Sequence, residues 1–282
     1  MSTTTTNEPP PVATPRGGGG LSPRKRRRII LGVQYAIVLV ILGLIIATVD
    51  WATIREHFLD VEAARQMLPM LFTVALKNTI IYTLSAYVIG FVLGLVLALM
   101  RMSSAAPYRW AALIYVEIFR GLPALLVLLL IGFGIPIAFQ GLQFPGDVYG
   151  KVAVGLGMVA AAYMAETFRA GLQAVPRGQM EAARTLGMSH TRAMVSVVIP
   201  QALRLVIPPL TNELILLFKD SSLVSALGIT AATIELTKLG SDAAINSADA
   251  TPFVVAGLTY LIITVPLGIV VRRLEARQTR GR

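Results

Sequence analysis

Six apolar runs, separated by short polar or basic stretches, take up most of the chain: residues 29–49, 71–100, 122–139, 152–168, 205–229 and 253–271. A helix rises ~1.5 Å per residue, so a run of about 20 residues matches a hydrocarbon layer ~30 Å thick. The expected fold is an all-α polytopic membrane protein with six transmembrane helices. Gly121-Leu122-Pro123 opens the third run, and residues 108–119 before it form a candidate interfacial helix. Pro208-Pro209 interrupts the fifth run, and Thr251-Pro252 supplies a cap and a first-turn proline for the sixth. Gly90 and Gly94 stand four apart in the second run, and the fourth is rich in Ala and Gly, a composition that lets helices approach closely.

Composition narrows the class. Of 282 residues, 55% are hydrophobic and 14% charged, where soluble domains carry roughly 25% charged residues. The chain has no cysteine, which excludes disulfides, thiolate metal sites and cysteine nucleophiles. His57 and His190 lie in no metal-spacing motif.

The net charge of +10 is unevenly placed. Eighteen Lys and Arg residues fall at the two termini and in the stretches around 101–109 and 169–204, and four fall in the alternating stretches. Positive charge marks the cytoplasmic side, so both termini are expected there. Residues 1–28, with their Thr, Pro and Gly runs, read as a disordered tail whose basic run 24–28 anchors topology. The run 29–49 is long for a cleaved signal and is expected to span. Residues 50–70 read as an outer loop, with Trp51 at the boundary, and 273–282 as a basic tail.

Charges inside a membrane cost several kcal/mol unless paired or wetted. Asn212 and Lys219 share one face of the fifth run, and Glu213 and Asp220 another. They read either as locks between helices or as a polar cavity for a zwitterion, with Lys219 meeting a carboxylate and the acids an ammonium. Glu117 with Arg120, and Glu166 with Arg169, are three apart on helical faces. Each pair reads as a local ion pair or as part of a gate.

The polar segment 175–200 is expected to form two short helices joined by a bend. Pro176 suits a first turn, Gly187 a left-handed end, Ser189 a cap, and Pro200 a break. Within it Glu181-Ala182-Ala183, then Gly187, then Ile199-Pro200 resembles the EAA loop of ABC importer permeases. Residues 117–123, 163–171 and 219–223, which include Ser221 and Ser222, are similar to the polar amino-acid branch of that family, and the resemblance covers about 70–272.

It implies a permease domain over 71–272 with an extra span at 29–49. It also implies a coupling surface of Gln179, Glu181, Ala182, Ala183, Leu186 and Gly187. The implied partners are a cytoplasmic ABC ATPase dimer, a second permease subunit (identical or homologous), an extracytoplasmic solute-binding protein and membrane lipid, with no nucleic acid. No GxxxxGK[ST] motif occurs, so ATP and Mg are expected on the ATPase, and this chain is expected to be no enzyme and to carry no cofactor. The alternatives are a permease for another small polar solute, an ion-coupled secondary transporter, and a plain helical connector at 175–200.

Overall fold

The computed structural model describes residues 23–280, with side chains through Ala276, and every regular element among them is helical. Five helical runs are long and apolar enough to cross a membrane, and there are six if the bent pair 106–121 and 124–138 counts as one broken span. The chain divides into two compact units at Ala52.

The first unit contains α1 (Pro23–Thr48). Residues 23–28, expected in a disordered tail, are its opening turns: Pro23 suits a first helical position, and Lys and Arg are good helix formers. Residues 1–22 lie outside the described residues. Past the helix, the Trp51 indole donates to the Ile46 carbonyl at 2.8 Å.

The expected outer loop 50–70, all but its first three residues in the second unit, is mostly helical. It consists of α2 (Trp51–Phe58) and α3 (Val61–Met70). Asp60 caps α3 by accepting from the Glu62 N–H. The helix continues through a π turn, Leu71–Ala75, into α4 (Leu76–Met102). Next come α5 (Ala106–Gly121), α6 (Ala124–Leu129), a π turn and α7 (Ile135–Ala138). The α5–α6 elbow bends 107° at Leu122-Pro123. Leu122 is extended there, because a residue before proline is pushed out of the helical region.

The chain returns along α8 (Val148–Ala174), makes α9 (Arg177–Thr185), then α10 (His190–Ala193) and, through a π turn, α11 (Ile199–Asp220). A 3₁₀ stretch, Ser221–Leu227, ends at left-handed Gly228. The polar segment 233–250 holds a further helix, α12 (Leu236–Ser247), and α13 (Thr251–Arg280) carries the sixth run. Residues 273–280, expected as a tail, extend α13, and 281–282 lie outside the described residues.

Two proline expectations fail. Pro200 breaks nothing: His190–Leu227 is one helical run. The π turn widens the helix just ahead of Pro200, and the Ile199 N–H reaches five residues back to Met194. The widening takes up the ring that would otherwise meet the carbonyl four residues back. Ile135-Pro136 repeats the device, with Ile135 bonded to Leu130. Pro208 and Pro209 lie inside α11 without interrupting it. Packing against α8 and α13 holds the helix there, as neighbouring helices do for prolines within membranes.

The core is the face between α4 and α8. A Cβ at Gly90 would stand 2.8 Å from the Ala160 Cβ, one at Gly94 2.9 Å from the Met164 Cβ, and one at Gly157 2.8 Å from Ile89. The two backbones therefore touch, and Tyr82, Leu128, Leu156, Met164 and Val206 pack around the seam. Gly94→Leu should force the pair apart. The expected loss is about 1–3 kcal/mol, seen as a lower unfolding midpoint in detergent, whereas Gly43→Leu in α1 should leave this unit's transition unchanged.

Candidate functional site

At one end of the second unit, α9 and α10 pack together on the π turn Met194–Val198 that leads into α11. Three backbone bonds close α9: Leu186 N–H to the Ala182 carbonyl at 3.1 Å, Gly187 to Arg184 at 3.0 Å and Met188 to Ala183 at 3.2 Å. The last two are the 5→2 and 6→1 bonds of a Schellman cap, with Gly187 at φ 83° supplying the left-handed residue. Ser189 then caps α10 by accepting from the Arg192 N–H. No neighbour lies within 4 Å of a Cβ built at Gly187. Backbone conformation is thus the only demand for glycine there.

The six coupling candidates divide by face. Glu181, Ala182 and Leu186 are exposed, with Leu186 at 83% an apolar knob in the open. With Thr185 they form one helical face at positions i, i+1, i+4 and i+5. Ala183 differs from these three: it is buried, on the side of α9 turned away from that face. Gln179 is exposed and accepts at 3.3 Å from the Gln201 amide, a bond that ties α9 to α11.

About two turns before the end of α8, Glu166 holds two arginines. Its Oε2 accepts from Arg169 Nη2 at 2.6 Å and Nε at 3.0 Å, and its Oε1 accepts from Arg101 Nη1 at 2.6 Å. The second arginine belongs to the last turn of α4 and was not singled out from the sequence, because no spacing rule connects residues so far apart. Glu117 and Arg120 form no ion pair among the described residues. Both are exposed, and Arg120 instead lies over the Tyr163 ring, 5.6 Å from its centre.

Near that ring a pocket of about 230 Å³ is lined by Leu122, Ala124, Tyr163, Glu213, Leu216 and Asp220, among others. The acids share this face of α11, as their spacing implies. Asn212 and Lys219 are exposed and do not line the pocket. One cavity therefore does not combine Lys219 with the two acids. Ser221 and Ser222 donate to the Phe218 and Lys219 carbonyls, both at 2.7 Å, so their hydroxyls close the end of α11.

Polar groups at the other end of α4 were missed in the sequence. Buried Asn78 donates to the carbonyls of Ala232 and Ile234 and accepts from the Tyr149 hydroxyl at 2.6 Å. The Tyr82 hydroxyl donates to the Thr233 carbonyl, and Thr79 accepts from the Leu236 N–H. Glu235 is fully buried and caps α12 through the Thr237 and Lys238 N–H groups, both at 2.6 Å. Burial pushes its carboxyl above the usual range, and those N–H groups and the Tyr260 hydroxyl draw it part of the way back.

The helices and the exposed face of α9 define the class: a multi-pass membrane subunit with a short helix left open at one end. The chain belongs to the family of binding-protein-dependent transport system inner membrane components, whose model matches residues 90–280. It is 39% identical over 202 residues to the probable glutamine ABC transporter permease protein GlnM of Bacillus subtilis (strain 168), covering 71% of this chain and 89% of that one. It is 36% identical over 203 residues to the glutamate/aspartate import permease protein GltK of Escherichia coli O157:H7, with the same coverage of 71% and 89%. Among solved structures, the crystal structure of an amino acid ABC transporter with histidines matches at TM-score 0.67 and 33% identity, over 82% of this chain and 99% of that chain.

The Arg101–Glu166 bridge lies between partly buried side chains, 19% and 20% exposed. A double-mutant cycle with Arg101→Gln and Glu166→Gln, read by thermal unfolding in detergent, should give a coupling of about 1 kcal/mol. A coupling of zero would leave the two residues energetically independent.

Proposed function

We propose that the chain is the transmembrane permease subunit of an ATP-driven ABC importer and forms part of the translocation pathway for a polar amino acid. In this reading the exposed Glu181–Leu186 face of α9 docks on a cytoplasmic ATPase dimer, which holds ATP and Mg. A second permease subunit, identical or homologous, completes the pathway, and an extracytoplasmic solute-binding protein delivers the substrate. Both termini lie in the cytoplasm, a placement supported by the excess of basic residues at that side. The one observation that carries the reading is the Schellman-capped α9, which buries Ala183 and presents an acid and an apolar knob outward. ATP closure moving the docked helices would then alternate access.

Two variants test the coupling. Gly187→Val forces a β-branched side chain into a left-handed conformation, at a cost of about 1–3 kcal/mol, and Glu181→Lys reverses the docking charge. Both should insert normally and lose ATP hydrolysis stimulated by the binding protein in a reconstituted complex. Wild-type stimulation in both would reduce the segment to a connector.

Glu213 and Asp220 at the pocket are the proposed contacts for the substrate ammonium. Glu213→Gln and Asp220→Asn should each lower uptake more than Lys219→Met does, at equal membrane abundance, since Lys219 does not line that cavity. Uptake lost only with Lys219→Met would move the site to the other face of α11.

A further inference from the structure

We propose that the corner between α4 and α5 binds the phosphate of an anionic phospholipid, with the acyl chains lying along the exposed apolar side of α5. Arg101 ends α4, and Arg109 stands in the first turn of α5. Together with Trp110 and Leu113 they line a pocket of about 260 Å³.

Each guanidinium is already oriented through Nη1 alone. Arg101 is held by Glu166, and Arg109 by the Ser103 and Ser104 carbonyls at 3.1 Å and 2.5 Å. Nε and Nη2 of both have no acceptor among the described residues, so two fixed forks face one cavity with donors to spare, the arrangement that suits a phosphate. Glu166 is shared between Arg101 and Arg169, and no acid occurs between Arg101 and Glu117, so the corner keeps a net positive charge.

The apolar side of the corner is independent of its charges. Trp110, Ile114 and Ile118 recur every four residues on α5, at 61%, 55% and 49% exposure. They form a stripe that starts at the pocket and runs away from it. Tyr108 is also exposed, and exposed Trp and Tyr mark the level of lipid headgroups. A free phosphate would use the arginines and leave this stripe without a role, whereas a phospholipid uses both.

The test is native mass spectrometry of the full transporter purified in detergent and titrated with phosphatidylglycerol or with chain-matched phosphatidylcholine. Wild type should retain phosphatidylglycerol about fivefold more strongly than phosphatidylcholine. Arg109→Gln should lose about fivefold of that retention, the equivalent of ~1 kcal/mol for one basic residue. Trp110→Ala, at an exposed position, should lower retention of both lipids and carries the test if Arg109→Gln assembles poorly. Equal retention of the two lipids, or unchanged retention in both variants, would overturn the proposal. Displacement of the lipid by millimolar inorganic phosphate alone would make the corner an anion pocket, and exclusion of the lipid by the bound ATPase would give it to the protein partner. Either result also overturns the proposal.

Discussion

Backbone contact between α4 and α8 is the constraint on which the second unit depends. Between helices in lipid there is no hydrophobic drive to associate, because the tails are as apolar as the side chains, and close packing and polar bonds must supply the attraction. Gly90, Gly94 and Gly157 supply the packing. The polar bonds sit at both ends of the same seam: Tyr149 with Asn78 at one, Glu166 with Arg101 at the other. Shifting α8 along α4 by one residue would bring side chains against side chains where glycines now make room, and would part both bonds together.

From that seam the remaining parts take their places. Asn78, Thr79 and Tyr82 project from α4 to hold the backbone of residues 232–236, and this fixes where α12 begins. Glu166 ties the second half of α8 to the last turn of α4. The elbow at Leu122-Pro123 bends the chain back so that α6 lies beside α8, and Leu122 and Ala124 become walls of the acidic pocket.

Local rules made much of this legible before any coordinates. Length and polarity alone gave the spans, and the dipeptide Thr251-Pro252 marked the start of α13. Gly187 and Ser189 announced the bend because left-handed backbone and N-capping each favour few residue types. What escaped was non-local or compensated. Pro200 looked like a stop because its ring clashes with a regular α-turn, and nothing in Met194–Val198 advertises the π turn that removes the clash. Ala182 and Ala183 are chemically identical, and only the way α9 seats on its neighbours decides that one is exposed and the other buried. Glu235 reads as a surface acid until the N–H groups of α12 and the Tyr260 hydroxyl are seen to satisfy it.

The helical run from His190 to Leu227 passes Pro200, Pro208 and Pro209 without a break. At ~1.5 Å per residue, the bend beside α9 and the pocket acid Asp220 are separated by ~45 Å along one shaft. A swivel chain would dissipate a push within a turn or two of where it was applied. If the run moves as one shaft, as the proposed coupling requires, tilting the short helices by a few degrees at one end would swing the carboxylates at the other through several ångströms, with no relay of side chains between them.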